Sequence, residues 1–253
     1  MANTNPELEK SFGTTTRLII GTALSPLDKF EDWFSARISN GETIRSVIGT
    51  GSTYLPNYAF FGKIPRGKVV SWNNLQQAEN KKIEIGANET LSTITEKLKQ
   101  NALFVPDFVE GTNINVSETT EYLDCINVYK SFDIFKTRNA AYSFSTIDSE
   151  SLFGCYRVAS SKFCMKCYNT SNLSACMEMD LARNCSNSMF CHNVENVHNS
   201  MFCFNVKNKN YAIGNVEVGR ESYMKIKEKI CWEIAGALEK NCTFETDSYN
   251  ALE

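Results

Sequence analysis

No stretch of this chain is rich in lysine and arginine, and no stretch is apolar enough to cross a bilayer. The first absence, with a formal net charge of −3, argues against a surface built to neutralise phosphates, so direct nucleic-acid binding is not expected. The second leaves no membrane span to expect, since the longest apolar run, around Leu18 to Leu24, is far shorter than a bilayer needs. The opening MANTNPELEK has neither a basic start nor an apolar stretch, which leads us to expect a soluble protein synthesised in the cytoplasm. Asn-x-Ser/Thr triplets at Asn88, Asn115, Asn169, Asn172, Asn184 and Asn241 are then chance products of an Asn-rich chain rather than glycan sites.

Catalytic signatures are missing as well. The sequence contains no GxGxxG, no Walker loop, no HExxH and no GxSxG. It has two histidines, His192 and His198, and neither stands beside a nucleophile in a recognisable motif. His192 falls in a column of aromatic residues, and His198 is assigned to a turn. No enzyme activity and no cofactor are expected.

What the sequence does have is a repeat. Residues 191–202 read CHNVENVHNSMF and residues 203–214 read CFNVKNKNYAIG, and the same register continues back through five more blocks of twelve to Ser131. Numbered within the block, column one is Ser131, Ser143, Cys155, Cys167, Met179, Cys191 and Cys203. Column four is Ile134, Thr146, Val158, Thr170, Ala182, Val194 and Val206. Column seven runs Thr137, Ser149, Ser161, Leu173, Cys185, Val197 and then Lys209. Column ten is Ala140, Leu152, Cys164, Cys176, Ser188, Ser200 and Ala212. Small or β-branched residues therefore recur every third place, a period that neither a helix nor a flat strand produces.

A solenoid does produce it. With one coil per twelve residues, columns one, four, seven and ten face a narrow interior. Identical columns then stack at the strand spacing of about 4.8 Å, giving a rod roughly 34 Å long. Column six is Asn at 172, 184, 196 and 208, which suits a corner because Asn tolerates left-handed dihedrals.

From residue 131 to about 218 this twelve-residue coil, with Cys and small residues at every third place, resembles the right-handed coil of insect antifreeze proteins. The resemblance implies the coil. In that family Thr-x-Thr pairs flank the inward Cys and form an ice-binding face; here Tyr, His, Phe, Lys, Glu or Gly stand at those places, so ice binding is not implied. The YAIGN segment at 211–215 followed by a helix is similar to uncharacterised repeat proteins of tailed-virus and environmental genomes, which implies a virion setting and no functional residues.

Two outward columns are unusually apolar. Phe132, Phe144, Tyr156, Tyr168 and Phe204 lie in column two, and Phe153, Met165, Met177, Met189 and Met201 in column eleven. A ladder of this kind is too large to leave wet. These ten residues are expected to form a packing strip, covered either by the same chain or by another subunit.

Around the coils, residues 25–41 carry helix signals: Ser25 as cap, Pro26 in the first turn, Asp28 reaching back and Gly41 as a stop. Leu27, Phe30, Trp33, Phe34 and Ile38 share one side. A shorter helix is expected from Glu89 to Asn101 with Leu91, Ile94 and Leu98 inward, and strands at 67–72 and 81–85. A final helix from about Arg220 to Lys240 buries Tyr223, Ile226, Ile230, Ile234 and Leu238. The organisation expected is an α+β N-terminal domain (1–115), a β-solenoid of about seven coils (116–218), and a C-terminal capping helix and tail (219–253).

The ten cysteines admit a zinc reading through Cys164 and Cys167, and stacked coils would admit disulfides. The repeat alone accounts for the spacing, because Cys164 and Cys176 share column ten while Cys155, Cys167, Cys191 and Cys203 share column one. Buried reduced thiols are expected in a chain made in the cytoplasm. The function expected is a non-enzymatic structural or assembly protein, forming a homo-oligomer or larger assembly and serving as a capsid or capsid-associated component of a virion. The other reading is a carbohydrate- or peptide-binding module that uses the outer face of the solenoid.

Overall fold

The computed structural model describes residues 5–38, 41–79 and 82–250. Its centre is a parallel β-solenoid of about eight turns. Every pairing along the stack is offset by twelve: Phe132 beside Phe144, Phe144 beside Tyr156, Tyr156 beside Tyr168, Cys164 beside Cys176, and Met179 beside Cys191. The stack starts before Ser131. Strand β4 (Ile114–Leu123) already pairs in the same register with β5 (Ile126–Phe135), and the two-residue β3 (Val109–Glu110) pairs with the end of β4 one residue out of that register, at an offset of thirteen.

The backbone explains the period of three. Every third residue from Asn115 to Tyr211 has a positive φ, so the unit is a triplet: one residue inward, one outward, one left-handed corner. Four triplets close a coil. Left-handed dihedrals cost most side chains about 1–2 kcal/mol, and Asn least. Three of the four corner columns are rich in Asn, whose amides bond from coil to coil: Asn172 to Asn184 (3.1 Å), Asn193 to Asn205 (2.8 Å), and Asn196 to Asn208 (3.1 Å). In the fourth corner column, Gly154 (φ 67°) is required on two counts, because a Cβ there would meet the Phe34 backbone oxygen at 2.9 Å.

The inward columns are small for a reason beyond width. Amides following a corner lack a strand partner, and inward hydroxyls supply one: Cys155 N–H donates to Ser143 Oγ (3.3 Å), Leu173 N–H to Ser161 Oγ (3.0 Å), and Ala212 N–H to Ser200 Oγ (3.1 Å). A thiolate is not needed; Cys203 N–H reaches the Cys191 sulfur at 3.4 Å. The ten cysteines are all free, and the eight within the coils are buried.

Outside the coils, α1 (Pro6–Ile20) was not anticipated. Asn5 caps it by accepting from Leu8 N–H (2.9 Å), Pro6 opens it and left-handed Gly21 closes it. The helix expected over 25–41 is shorter: a 3₁₀ turn (Leu27–Phe30) leads into α2 (Glu31–Ser35), with no side-chain cap from Ser25, and Gly41 opens strand β1 (Gly41–Arg45) instead of stopping a helix. Leu27, Phe30, Trp33 and Phe34 are nevertheless buried together, with Ile38 against them; Ser39 and Asn40 lie outside the described residues. β1 forms an antiparallel hairpin with β2 (Ser52–Pro56).

The strands expected at 67–72 and 81–85 do not form. Val69 makes a single bridge to Phe104 between two 3₁₀ turns, because its neighbours offer one hydrogen bond at a time rather than an edge. Residues 82–85 find no strand partner among the described residues, Glu84 O accepting only from Lys97 Nζ (2.9 Å), and Ile85 is exposed; Lys81 lies outside the described residues. After α3 (Leu75–Glu79), α4 (Leu91–Asn101) follows a Thr90–Thr93 capping box close to expectation. Its apolar side is not inward, since Leu91 and Leu98 are exposed.

The last coil ends in a short hairpin, Ala212–Ile213 against Val216–Glu217. Helix α5 (Arg220–Asn241) then turns back along the flank, where Tyr223 Oη donates to Asn187 O two coils from the end (3.2 Å). It buries Tyr223, Ile234 and Leu238 as expected, and Cys231 and Ala235 in addition. Ile226 is exposed and Ile230 half-buried, because α5 meets α1 as well as the coils and its inward stripe is rotated accordingly.

Candidate functional site

The outward apolar columns lie on either side of one corner of the coil, and this chain covers both. Phe153, Met165, Met177, Met189 and Met201 are fully buried, in one cluster with Leu8, Phe12, Ile19 and Ile20 of α1 and Ile234 and Leu238 of α5. Phe132 and Phe144 stack on each other (4.8 Å) beneath Leu55, Phe61 and Val69. Tyr156 continues that stack at 5.1 Å and is half-buried. Tyr168 is buried against Tyr249 (5.9 Å), and Phe204 is half-buried, its backbone held by Asn215.

With those columns filled, apolar side chains stay exposed elsewhere, among them Phe60, Phe104 and Phe108 near the hairpin end and a group on the helices. Trp232 of α5 is 75% exposed, Met224 51% and Leu18 of α1 50%. They line one groove between the end of α1 and the first half of α5, rimmed by Arg17, Arg220, Lys225 and Lys227 with Glu221 and Glu228. Grouped in one groove, these three side chains make a contiguous apolar patch, which is the kind of exposed surface that marks an interaction site.

The richest cluster of ionisable groups lies where the segment after α5 crosses the coils. Lys166 and Glu178 occupy the same corner column in successive coils. They form an ion pair, Nζ to Oε1 3.2 Å, with side-chain exposures of 3% and 0%. Lys166 also sits over the Trp33 ring (5.1 Å), while the donors turned toward the Glu178 oxygens, Lys166 Nζ and the Ser248 N–H, fall short of full hydrogen-bond geometry. Burial pushes the Glu178 carboxyl up to about 7, against the pull of Lys166. Above the pair, Arg37 grips Asp247 with Nε and Nη2 and lies over the Tyr249 ring (5.0 Å). Next to it His192 Nδ1 pairs with Asp180 Oδ2 (2.7 Å).

Other candidates resolve into structure. His198 is not in a turn; it ends the strand Glu195–His198 in an outward column, where Nδ1 meets Ser186 Oγ (2.8 Å). Hydrogen bonding from Cys191 lowers the Cys203 thiol to about 7, but the residue has no exposed surface. Burial raises the Cys167 and Cys176 thiols. A small polar cavity beside α2 has its charges satisfied internally: Lys130 on Glu31 (2.7 Å), Thr43 donating to Glu118 (2.8 Å). Among the described residues no group of His, Cys, Asp or Glu is arranged to hold a metal ion, and no helix is long and apolar enough to cross a membrane.

Comparison with known proteins finds no matching family model and no matching curated relative. The groove and the cluster at Glu178 were both missed in the sequence. Trp232 has a signal: it falls opposite Tyr223, Ile234 and Leu238 on the helical wheel. For the pair, Lys166 and Glu178 are twelve apart in a column that also holds Tyr142, Gly154, Phe190 and Phe202, where two charges stand out.

Proposed function

We propose a non-enzymatic structural or assembly protein in which the solenoid is a rigid beam and the α1/α5 face docks a neighbouring subunit. The observation that carries this reading is Trp232, three-quarters exposed beside Leu18 and Met224 on a protein that covers most of its apolar ladders with other parts of its own chain. We carry the capsid or capsid-associated setting forward as part of the proposal, resting on the likeness of the YAIGN segment and the helix after it. Ice binding is no part of it, because the residues flanking the inward column are large or charged.

Light scattering across a concentration series tests the reading. The expected outcome is a rise in mass with concentration that Trp232→Glu abolishes while the circular dichroism spectrum stays unchanged. A protein that remains monomeric at the highest concentration, with or without Trp232, would sink it.

A second reading, a carbohydrate- or peptide-binding face, is favoured by one feature. The side of the solenoid away from the helices is polar, with a groove lined by Lys136, Arg138, Asp148, Glu150, Lys162 and Asn172 and flanked by the exposed Asn ladder. Glycan-array binding lost in Asn172→Ala would support it, and silence on the array would leave it without support.

A further inference from the structure

The chain places a buried charge pair directly under its own C-terminal segment. Cys242 ends α5 in a left-handed turn, and Phe244 packs on Phe190 (6.3 Å). Residues 245–250 then fold on themselves: Asp247 Oδ1 accepts from Tyr249 N–H and Asn250 N–H (both 2.8 Å), and Asn250 Nδ2 donates to Glu245 O (2.7 Å). This compact hook is held by Arg37 through Asp247 and by Tyr168 through Tyr249, and it buries Asp247 and Ser248. Under it lie Lys166 and Glu178.

We propose that residues 243–250 act as a proton-sensitive latch, which closes over Lys166 and Glu178 when Glu178 carries a proton and loosens when Glu178 ionises. The physical reason is desolvation. A carboxylate enclosed without well-formed hydrogen bonds loses more hydration than one lysine returns, and closure brings the Asp247 carboxylate near it as well. Opening returns Glu178 to water beside Lys166, where its negative charge costs little.

The groups facing Glu178 come from three elements. The coils supply Lys166 and Tyr168, with the Asp180–His192 pair beyond them against Tyr249; the turn after α2 supplies Arg37, with Trp33 behind Lys166; the hook supplies Asp247, Tyr249 and the Ser248 N–H, whose weak bond to Glu178 returns less than burial removes. Arg37 and Asp247 neutralise each other, so Glu178 is the group whose charge changes most on closure. Since the carboxyl stands at about 7 when covered, above its ordinary value, the proton's contribution to closure is complete below that ordinary value. It is lost as pH rises through about 7.

Hydrogen exchange of the full chain, corrected for intrinsic rates, reads the latch at the Tyr249 and Asn250 amides. Protection is expected to fall about tenfold or more between about pH 5.5 and about pH 7.5. Glu178→Gln is expected to stay protected and flat across that range. Arg37→Ala is expected to lose protection at every pH while keeping the step, and His192→Asn to leave the step in place. A flat profile in the unmodified protein overturns the proposal, as does a step that survives Glu178→Gln or disappears in His192→Asn. Should Glu178→Gln fail to fold, the unmodified profile and the His192→Asn profile still decide.

Discussion

At the scale of single residues the coil depends on two demands that compete for the same side chains. Each inward position must be narrow, and at several of them the side chain must also accept a hydrogen bond from the next coil. Ser200 meets both: it accepts from Ala212 N–H (3.1 Å) and donates to His198 O (2.7 Å) with no exposed surface. Ser200→Ala keeps the width and removes the acceptor, leaving a buried amide without a partner. The expected cost is about 1–3 kcal/mol, far more than the loss of one oxygen's packing, measured by urea unfolding. Ser200→Cys, which keeps a weak acceptor as Cys191 does for Cys203, is expected to recover part of that loss.

The corners make the opposite prediction. Leu181 sits at φ 49° and is half-exposed, between Asn169 and Asn193 in the same column. A leucine gains nothing from that conformation, whereas asparagine tolerates it and would join a ladder already formed by Asn193 and Asn205 (2.8 Å). Leu181→Asn is expected to stabilise the protein by about 0.5–1 kcal/mol, seen as a higher melting temperature. Destabilisation would mean that corner strain is not what the Asn columns relieve.

At the scale of elements, how far the sequence could be read followed from how many copies of a pattern it held. The coils from Ser131 onward were legible because four inward columns repeat seven times. The turns before them were not, since Asn113 and Tyr122 stand in inward columns that later coils fill with small or β-branched residues, and one broken copy of a pattern is indistinguishable from a loop. The N-terminal elements occur once each and depend on tertiary partners. Val69 and Val70 are fully buried yet form no strand, while α1 was overlooked despite Asn5, Pro6 and Gly21 marking its ends. The packing strip was visible as a strip, but what lies on it was not, because a helix advertises its apolar face without naming the surface it meets.

That meeting is specific enough to test. Phe12 of α1 touches Phe30 (5.5 Å), Phe34 (5.8 Å) and Phe153 (5.2 Å), joining two helical pieces to the coil at one ring. Phe12→Ala is expected to cost about 3–5 kcal/mol. Because α1 lies over the Met column, the loss should be accompanied by binding of a hydrophobic dye. Loss of stability without dye binding would show that α1 stays docked and that the ring contributes packing alone.

At the scale of the whole molecule, a stack of identical coils carries a standing invitation to grow. The strand Lys207–Asn210 at its C-terminal end pairs on one side only among the described residues, with Asn210 N–H taken by Glu217, and the rest of its free edge matches the register of any similar coil. Two features oppose growth there. The inward column seven, apolar in Leu173, Cys185 and Val197, ends in Lys209, which a further coil would have to bury; and the hairpin 212–217 folds over part of the same end. An ammonium at that position costs several kcal/mol to enclose, enough to outweigh the backbone bonds that a second chain would gain. Lys209→Val removes the obstacle while suiting the column. The variant is expected to associate end to end, giving elongated particles by sedimentation and electron microscopy, and this association should persist when Trp232→Glu removes docking through the helices. Particles that vanish with Trp232→Glu would assign the new contact to the α1/α5 face and leave Lys209 without a guarding role.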